Sequence, residues 1–156
     1  MRTLISILFL ALVLACNLWA ETPKASSFSL SGGEPLAISS EKMTLKGQEN
    51  KAIFEGDVII QKGDVKITAG RVDAQLADTK KGKEIVQIQM AEQVEIKQGD
   101  RRVIAQKGIY DTEKGEITLT GNPEMWEKGY HVQGKLIRLS LKEKRSFVEG
   151  SVLTIY

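Results

Sequence analysis

The sequence predicts an all-β protein: antiparallel, about sixteen short strands in up-and-down order, built from stacked repeats of one unit. Three observations carry this. From Leu36 onward almost every segment alternates apolar and polar residues over four to seven positions, the period of a strand with one buried face. No window keeps helical spacing over three turns; the nearest, around Glu84 to Glu95, alternates as Val86, Ile88, Met90 and then Val94, Ile96. A small residue also recurs inside a similar alternating stretch at Ser40, Ala69, Ala105 and Gly134, at spacings of 29, 36 and 29 residues. The apolar phase slips by one at each of these residues, which predicts a bend or bulge there. A second mark keeps the same step, with Gly56 in Glu55-Gly56-Asp57-Val58, Gly121 in Thr120-Gly121-Asn122-Pro123 and Gly150 in Glu149-Gly150-Ser151-Val152.

Taken in chain order, Met1-Arg2-Thr3 followed by the uncharged, apolar residues 4–14 has the form of a secretory signal, with cleavage after Ala20 assigning residues 1–20 to the signal peptide. Two alternatives stand beside it. Val13-Leu14-Ala15-Cys16 is an imperfect lipobox that would place a lipid on Cys16, and the whole segment is also readable as a short retained anchor. Residues 21–35 are rich in Ser, Gly and Pro without periodicity and read as a flexible leader. Residues 36–156 form the folded body. Within it, Lys62-Gly63-Asp64, Gln98-Gly99-Asp100 and Glu127-Lys128-Gly129 each separate two alternating runs, as hairpin turns do. Lys80, Lys81 and Lys83 around Gly82 make a solvated turn where the one long repeat step inserts its seven extra residues. Gly150 to Tyr156 closes the body as an uncharged, proline-free strand, an edge that soluble proteins usually protect.

The run from Gly108 through Tyr110, Asp111 and Gly115 to Thr120-Gly121-Asn122, followed by a polar hairpin and then Gly134, Ile137 and Leu139, resembles the OstA-like (LptA) family. Phe54-Glu55-Gly56-Asp57-Val58 through Gly63, and Ile67 to Val72, are similar to the family's first motif. The resemblance covers nearly everything from Leu36 to Tyr156, and it is the order of the motifs that gives it specificity. It implies a two-layered β-jellyroll open along one side with a hydrophobic interior. It further implies a periplasmic protein that shields lipid A acyl chains and helps bridge the inner and outer membranes in lipopolysaccharide transport.

The residues define that interior independently. One face of the alternating runs collects Ile38, Met43, Phe54, Val58, Ile60, Val65, Ile67, Val72, Val86, Ile88, Met90, Val94, Ile96, Val103, Tyr110, Ile117, Leu119, Val132, Ile137, Leu139 and Val148. The other carries Lys, Glu, Gln, Thr and Arg, so the apolar face needs a cover, and two layers of one folded ribbon supply it. Only seven aromatic residues follow Ala20, a composition that suits an acyl-chain lining and an ordinary sandwich core alike. The lipid-binding candidates are Met43, Phe54, Ile67, Tyr110, Ile117, Leu119 and Leu139, placed near the open seam, with Lys107 and Arg138 as rim cations; Lys66 and Thr118 are assigned to the outer face.

Other chemistry has little to stand on. His131, the single histidine, is expected on the outer face of a strand, which rules out a zinc site of several imidazoles. Carboxylates such as Glu55, Asp57, Asp64, Asp100, Glu113 and Glu149 sit beside turn glycines, where Asp and Glu are ordinary. No glycine-rich loop opens a helix, so neither a cofactor nor an enzymatic activity is expected. Arg2 is the one charged residue before Glu21, leaving 21 basic against 20 acidic residues, a balance that argues against a nucleic-acid partner. The expected partners are lipopolysaccharide, membrane components of the transport route with similar jellyroll domains, and further copies of the chain joined head to tail. Two rival readings remain: a membrane-tethered component of the same route resembling LptC, and a lipid-free structural β-repeat that self-assembles through its edges.

Overall fold

The computed structural model describes residues 35–80, 82–141, 143 and 145–156. The signal, lipobox and anchor readings, and the leader up to residue 34, lie outside the described residues. Among the described residues twelve strands form one antiparallel sheet: β1 (Ala37–Ser39), β2 (Lys42–Lys46), β3 (Lys51–Lys62), β4 (Val65–Thr79), β5 (Gly82–Gln98), β6 (Arg101–Asp111), β7 (Glu116–Thr120), β8 (Glu124–Glu127), β9 (Tyr130–Gln133), β10 (Leu136–Ser140), β11 (Arg145–Glu149) and β12 (Val152–Ile155). The three turns expected at residues 62–64, 98–100 and 127–129 join β3 to β4, β5 to β6 and β8 to β9 as antiparallel neighbours.

The expected count of about sixteen becomes twelve for a physical reason. β3 to β6 run through the bend that the sequence marks as a break, because β-bulges keep the ladder continuous there. Register shifts fall between Glu55 and Val58 in the β3–β4 ladder, and between Ala91 and Val94 in the β5–β6 ladder. In each, two residues in the left-handed region, Gly56-Asp57 or Glu92-Gln93, oppose one residue of the next strand. Gly121-Asn122 adopts the same conformation between β7 and β8. The small residues Ala69 and Ala105 are the inward neighbours of these corners, so the two sequence marks are one feature seen from adjacent strands.

The corners line up across the sheet and fold it into two layers. One layer pairs, in order, β1, residues 58–62, 65–69, 94–98 and 101–105, then β8, β9 and β12. The other pairs β2, residues 51–55, 71–79, 82–91 and 107–111, then β7, β10 and β11. We refer to them as layers A and B. Their inward side chains make one hydrophobic cluster, with Val58, Val65, Ile96 and Val103 from A against Val72, Ile88, Ile117, Leu119 and Ile137 from B. Opposite the corner line the layers end in separate hairpins, and the fold is open there.

Candidate functional site: the open seam between the layers

The hairpin ends of the two layers form two lips of different character. Between them lies a cleft of about 720 Å³, lined on the layer A side by Leu36 and Lys62 and on the layer B side chiefly by Ile85, Val86, Tyr110, Thr112 and Leu141. The apolar wall of B is widened by a second irregularity. The β4–β5 register shifts between Gln75 and Leu76, pairing Gln75 with Gln87 but Leu76 with Ile85, which leaves Val86 as the extra residue. A bulge exposes backbone carbonyls that need donors, and Thr112 supplies them. Its hydroxyl donates to the carbonyls of Ile85 and Val86 at 2.9 and 3.0 Å, and its backbone N–H to Val86 at 3.1 Å.

The lip of layer A is polar. Gln98, buried and inward, donates from its amide to both carboxylate oxygens of Asp64 at 3.0 and 3.1 Å. Beside it Arg101 grips Glu127 with two hydrogen bonds of 2.9 and 3.0 Å, and the Tyr130 hydroxyl donates to the same carboxylate at 2.6 Å. Burial opposes ionisation of Glu127, but the bonds from Tyr130 and Arg101 outweigh it and hold the carboxyl below the usual glutamate range. The Tyr130 hydroxyl is pushed up by donating to that carboxylate, and the Tyr110 hydroxyl on the opposite lip is pushed up by burial.

The seven candidate lipid contacts divide into three groups. Tyr110 lines the cleft. Phe54, Ile67, Ile117, Leu119 and Leu139 lie in the sealed interior, between 0% and 9% exposed, where they make the core itself. Met43 corrects the expected interior: its face points inward opposite Phe54, but β2 is the last strand of its layer, and Met43 stands 55% exposed. Lys107 and Arg138 are on the outer face of B rather than at the seam, where Arg138 pairs with Glu116 and covers the Phe147 ring. Lys66 and Thr118 face outward as expected. His131 is also on an outer face, but half-buried rather than solvated. It stacks on Trp126 with ring centres 4.6 Å apart and meets Glu124 at 2.8 Å. Sequence reasoning missed Leu36, Ile85 and Leu141 as wall residues; their signal is position beside a turn, since strand ends away from the corners form the lips.

Both ends of the layers leave inward-facing apolar side chains uncovered. At the β1–β2 end these are Met43 and Leu45; at the β11–β12 end they are Leu153 and Ile155, partnered with Val132 and Tyr130. Among the described residues there is no group of three or more His, Cys, Asp or Glu placed to hold a metal ion, and no helix long and apolar enough to cross a membrane.

Known proteins share this architecture. In Pseudomonas aeruginosa the structure of LptH, described as the LptA-homologous periplasmic component of a lipopolysaccharide transport device, superposes with a TM-score of 0.68 at 13% identity, covering 79% of this chain and 96% of that one. In sequence, the lipopolysaccharide export system protein LptA of Escherichia coli (strain K12) is 28% identical over 146 residues, 88% of this chain and 77% of that protein. An uncharacterised protein of Rhizobium meliloti (strain 1021) is 25% identical over 118 residues, 72% of this chain and 63% of its own length. The family described as LptA/(LptD N-terminal domain) LPS transport protein matches residues 37–145, from the first residue of β1 to the first residue of β11. With that match spanning well over half of the sequence and the folded sheet agreeing with it, the chain belongs to the LptA/LptD N-terminal-domain family of lipopolysaccharide transport proteins.

Proposed function

We propose that this protein is a periplasmic carrier that holds the acyl chains of lipopolysaccharide in its open seam and joins similar domains at its two ends to make a continuous path. The observation that carries the proposal is the cleft itself: an apolar wall of Leu36, Ile85, Val86, Tyr110 and Leu141 along the one side where the layers do not close, of a volume usual for small-molecule sites. The chains lie along this seam and not between the tightly packed Ile117, Leu119 and Ile137. Carriage by such a groove answers a large barrier. Burial contributes about 0.8 kcal/mol per methylene, so a multi-acyl lipid does not cross water as a free monomer at a useful rate.

The end-to-end part of the proposal rests on strand sense. Each layer has eight segments in antiparallel alternation, an even number, so its last strand runs opposite to its first. A second copy translated along the stack therefore presents β1 antiparallel to β12 and β2 antiparallel to β11, and the ladder continues without reversal. The uncovered Leu153 and Ile155 then meet the Ile38 side of the next copy, and Val148 meets Met43.

Native mass spectrometry of the protein purified from its own envelope without detergent tests the reading. A bound mass matching a multi-acyl glycolipid is expected. Lipid-free oligomers in repeated preparations would replace the carrier with a structural scaffold.

A further inference from the structure

The two outer faces treat charge differently. On layer B, one row alternates in sign, Lys42 opposing Glu55 and Glu55 opposing Arg71 with ion pairs of 3.6 and 2.8 Å, and like charges meet two at a time, Lys46 with Lys51 and Asp111 with Glu116. On layer A, one row carries a longer run of a single sign. Lys66 is directly opposite Lys97, and Lys97 directly opposite Arg102, so three cations occupy adjacent strands in register. All three are exposed, and a single carboxylate, Glu95, serves both Lys97 and Arg102. Arg102 is further held over the Trp126 ring at 5.2 Å. Like charges directly opposite each other destabilise a sheet, so the row works against the stability of the free protein. A partner that supplies negative charge would offset that repulsion.

The position of the row indicates which partner. Lys66, Lys97 and Arg102 each lie one residue from the end of a strand at a layer A hairpin, and those hairpins are the seam's polar lip. Lys62, across the first of these turns, lines the cleft. Neighbouring strands are about 4.8 Å apart, so one phosphate fits between adjacent cations of the row and two fit along it.

We infer that Lys66, Lys97 and Arg102 form a binding site for the phosphate groups of the amphiphile whose chains occupy the seam. The inference rests on the carrier reading and adds an orientation to it: chains against the apolar lip of layer B, phosphates over the lip of layer A. Glu95 is the internal counter-charge that holds the row until a phosphate arrives. Its carboxyl is kept below the usual range first of all by the hydrogen bond from Arg102, so it remains ionised at neutral pH.

The test compares binding of lipid A with binding of the same lipid stripped of its phosphates, in the full chain and in the triple variant Lys66→Gln, Lys97→Gln, Arg102→Gln. The full chain is expected to prefer the phosphorylated lipid by about tenfold or more, steeply reduced by salt. The triple variant is expected to lose that preference while keeping its affinity for the stripped lipid. Its melting temperature should be unchanged or higher, since the repulsion is gone, and Lys66→Glu alone, which leaves the Trp126 contact intact, should weaken phosphorylated lipid selectively. Equal binding of both lipids by the full chain would overturn the phosphate site and leave the carrier standing. Failure to bind either lipid would overturn both. Inorganic pyrophosphate binding as tightly as lipid A would make the row a site for free phosphate, against the inference.

Discussion

Glu92 and Gln93 fill a corner where the neighbouring corners place Gly56-Asp57 and Gly121-Asn122, and all six residues share the left-handed conformation. That conformation costs an ordinary L-residue roughly 1–2 kcal/mol, and glycine nothing. Gln93→Gly should therefore stabilise the protein by about 1 kcal/mol, read as a higher urea midpoint at unchanged slope. The same substitution pattern explains what the sequence hid. Glycine marked the corners at Gly56 and Gly121, but the corner in β5 carries no glycine, and its mark in the sequence was the small residue Ala105 on the adjacent strand. Met43 shows the other limit, because alternation gives the face of a residue and not whether a neighbouring strand will cover it. At the layer A lip, Glu127 is held below its ordinary value of 4.5, so its stabilising contribution is complete above that pH and lost as the pH falls through the folded value. Tyr130 is raised above 10.0, so its contribution is complete below that pH and lost on further alkalinisation. Arg101→Gln removes the principal cation facing Glu127, and the loss of stability between neutral pH and pH 3 should shrink in that variant when melting is followed across the range.

At the scale of elements, alternation and turn chemistry were enough to place the strands. The bends at Ala69 and Ala105, and the three hairpins of the layer A lip, stand where the residues imply. Counting strands was harder, because a β-bulge and a chain break look alike in a one-dimensional pattern; sixteen half-strands merge into twelve where the ladder runs through. The Val86 bulge that widens the cleft had no legible signal, since Ile85 and Val86 are both apolar and only the register with Leu76 and Gln87 separates them. Among elements, β12 is the most exposed: all four residues are exposed, Leu153 and Ile155 because no further strand covers their inward side, and among the described residues it is held to the sheet by β9 alone. Deleting residues 153–156 should leave the far-ultraviolet spectrum and melting curve nearly unchanged while abolishing concentration-dependent oligomers in sedimentation. Persisting oligomers would show that assembly uses a different surface.

For the whole molecule, the corner line has two consequences. It brings the apolar faces of one folded sheet together without any cysteine beyond Cys16, and it forces the opposite side to remain open, because strands that all turn at one line end separately at the other. Fold class, layer count and the inward face were therefore readable from sequence. The lining of the cleft was not, because alternation picks out the residues that seal the core, whereas the seam is lined by strand ends that obey no period. A site-specific photo-crosslinker distinguishes these roles directly. Placed at Ile85 and Tyr110 on the seam, and at Ile109 and Thr118 on the outer face of layer B, it should capture lipopolysaccharide in the intact envelope from the first pair only. Capture from Ile109 and Thr118 with none from Ile85 and Tyr110 would contradict the account.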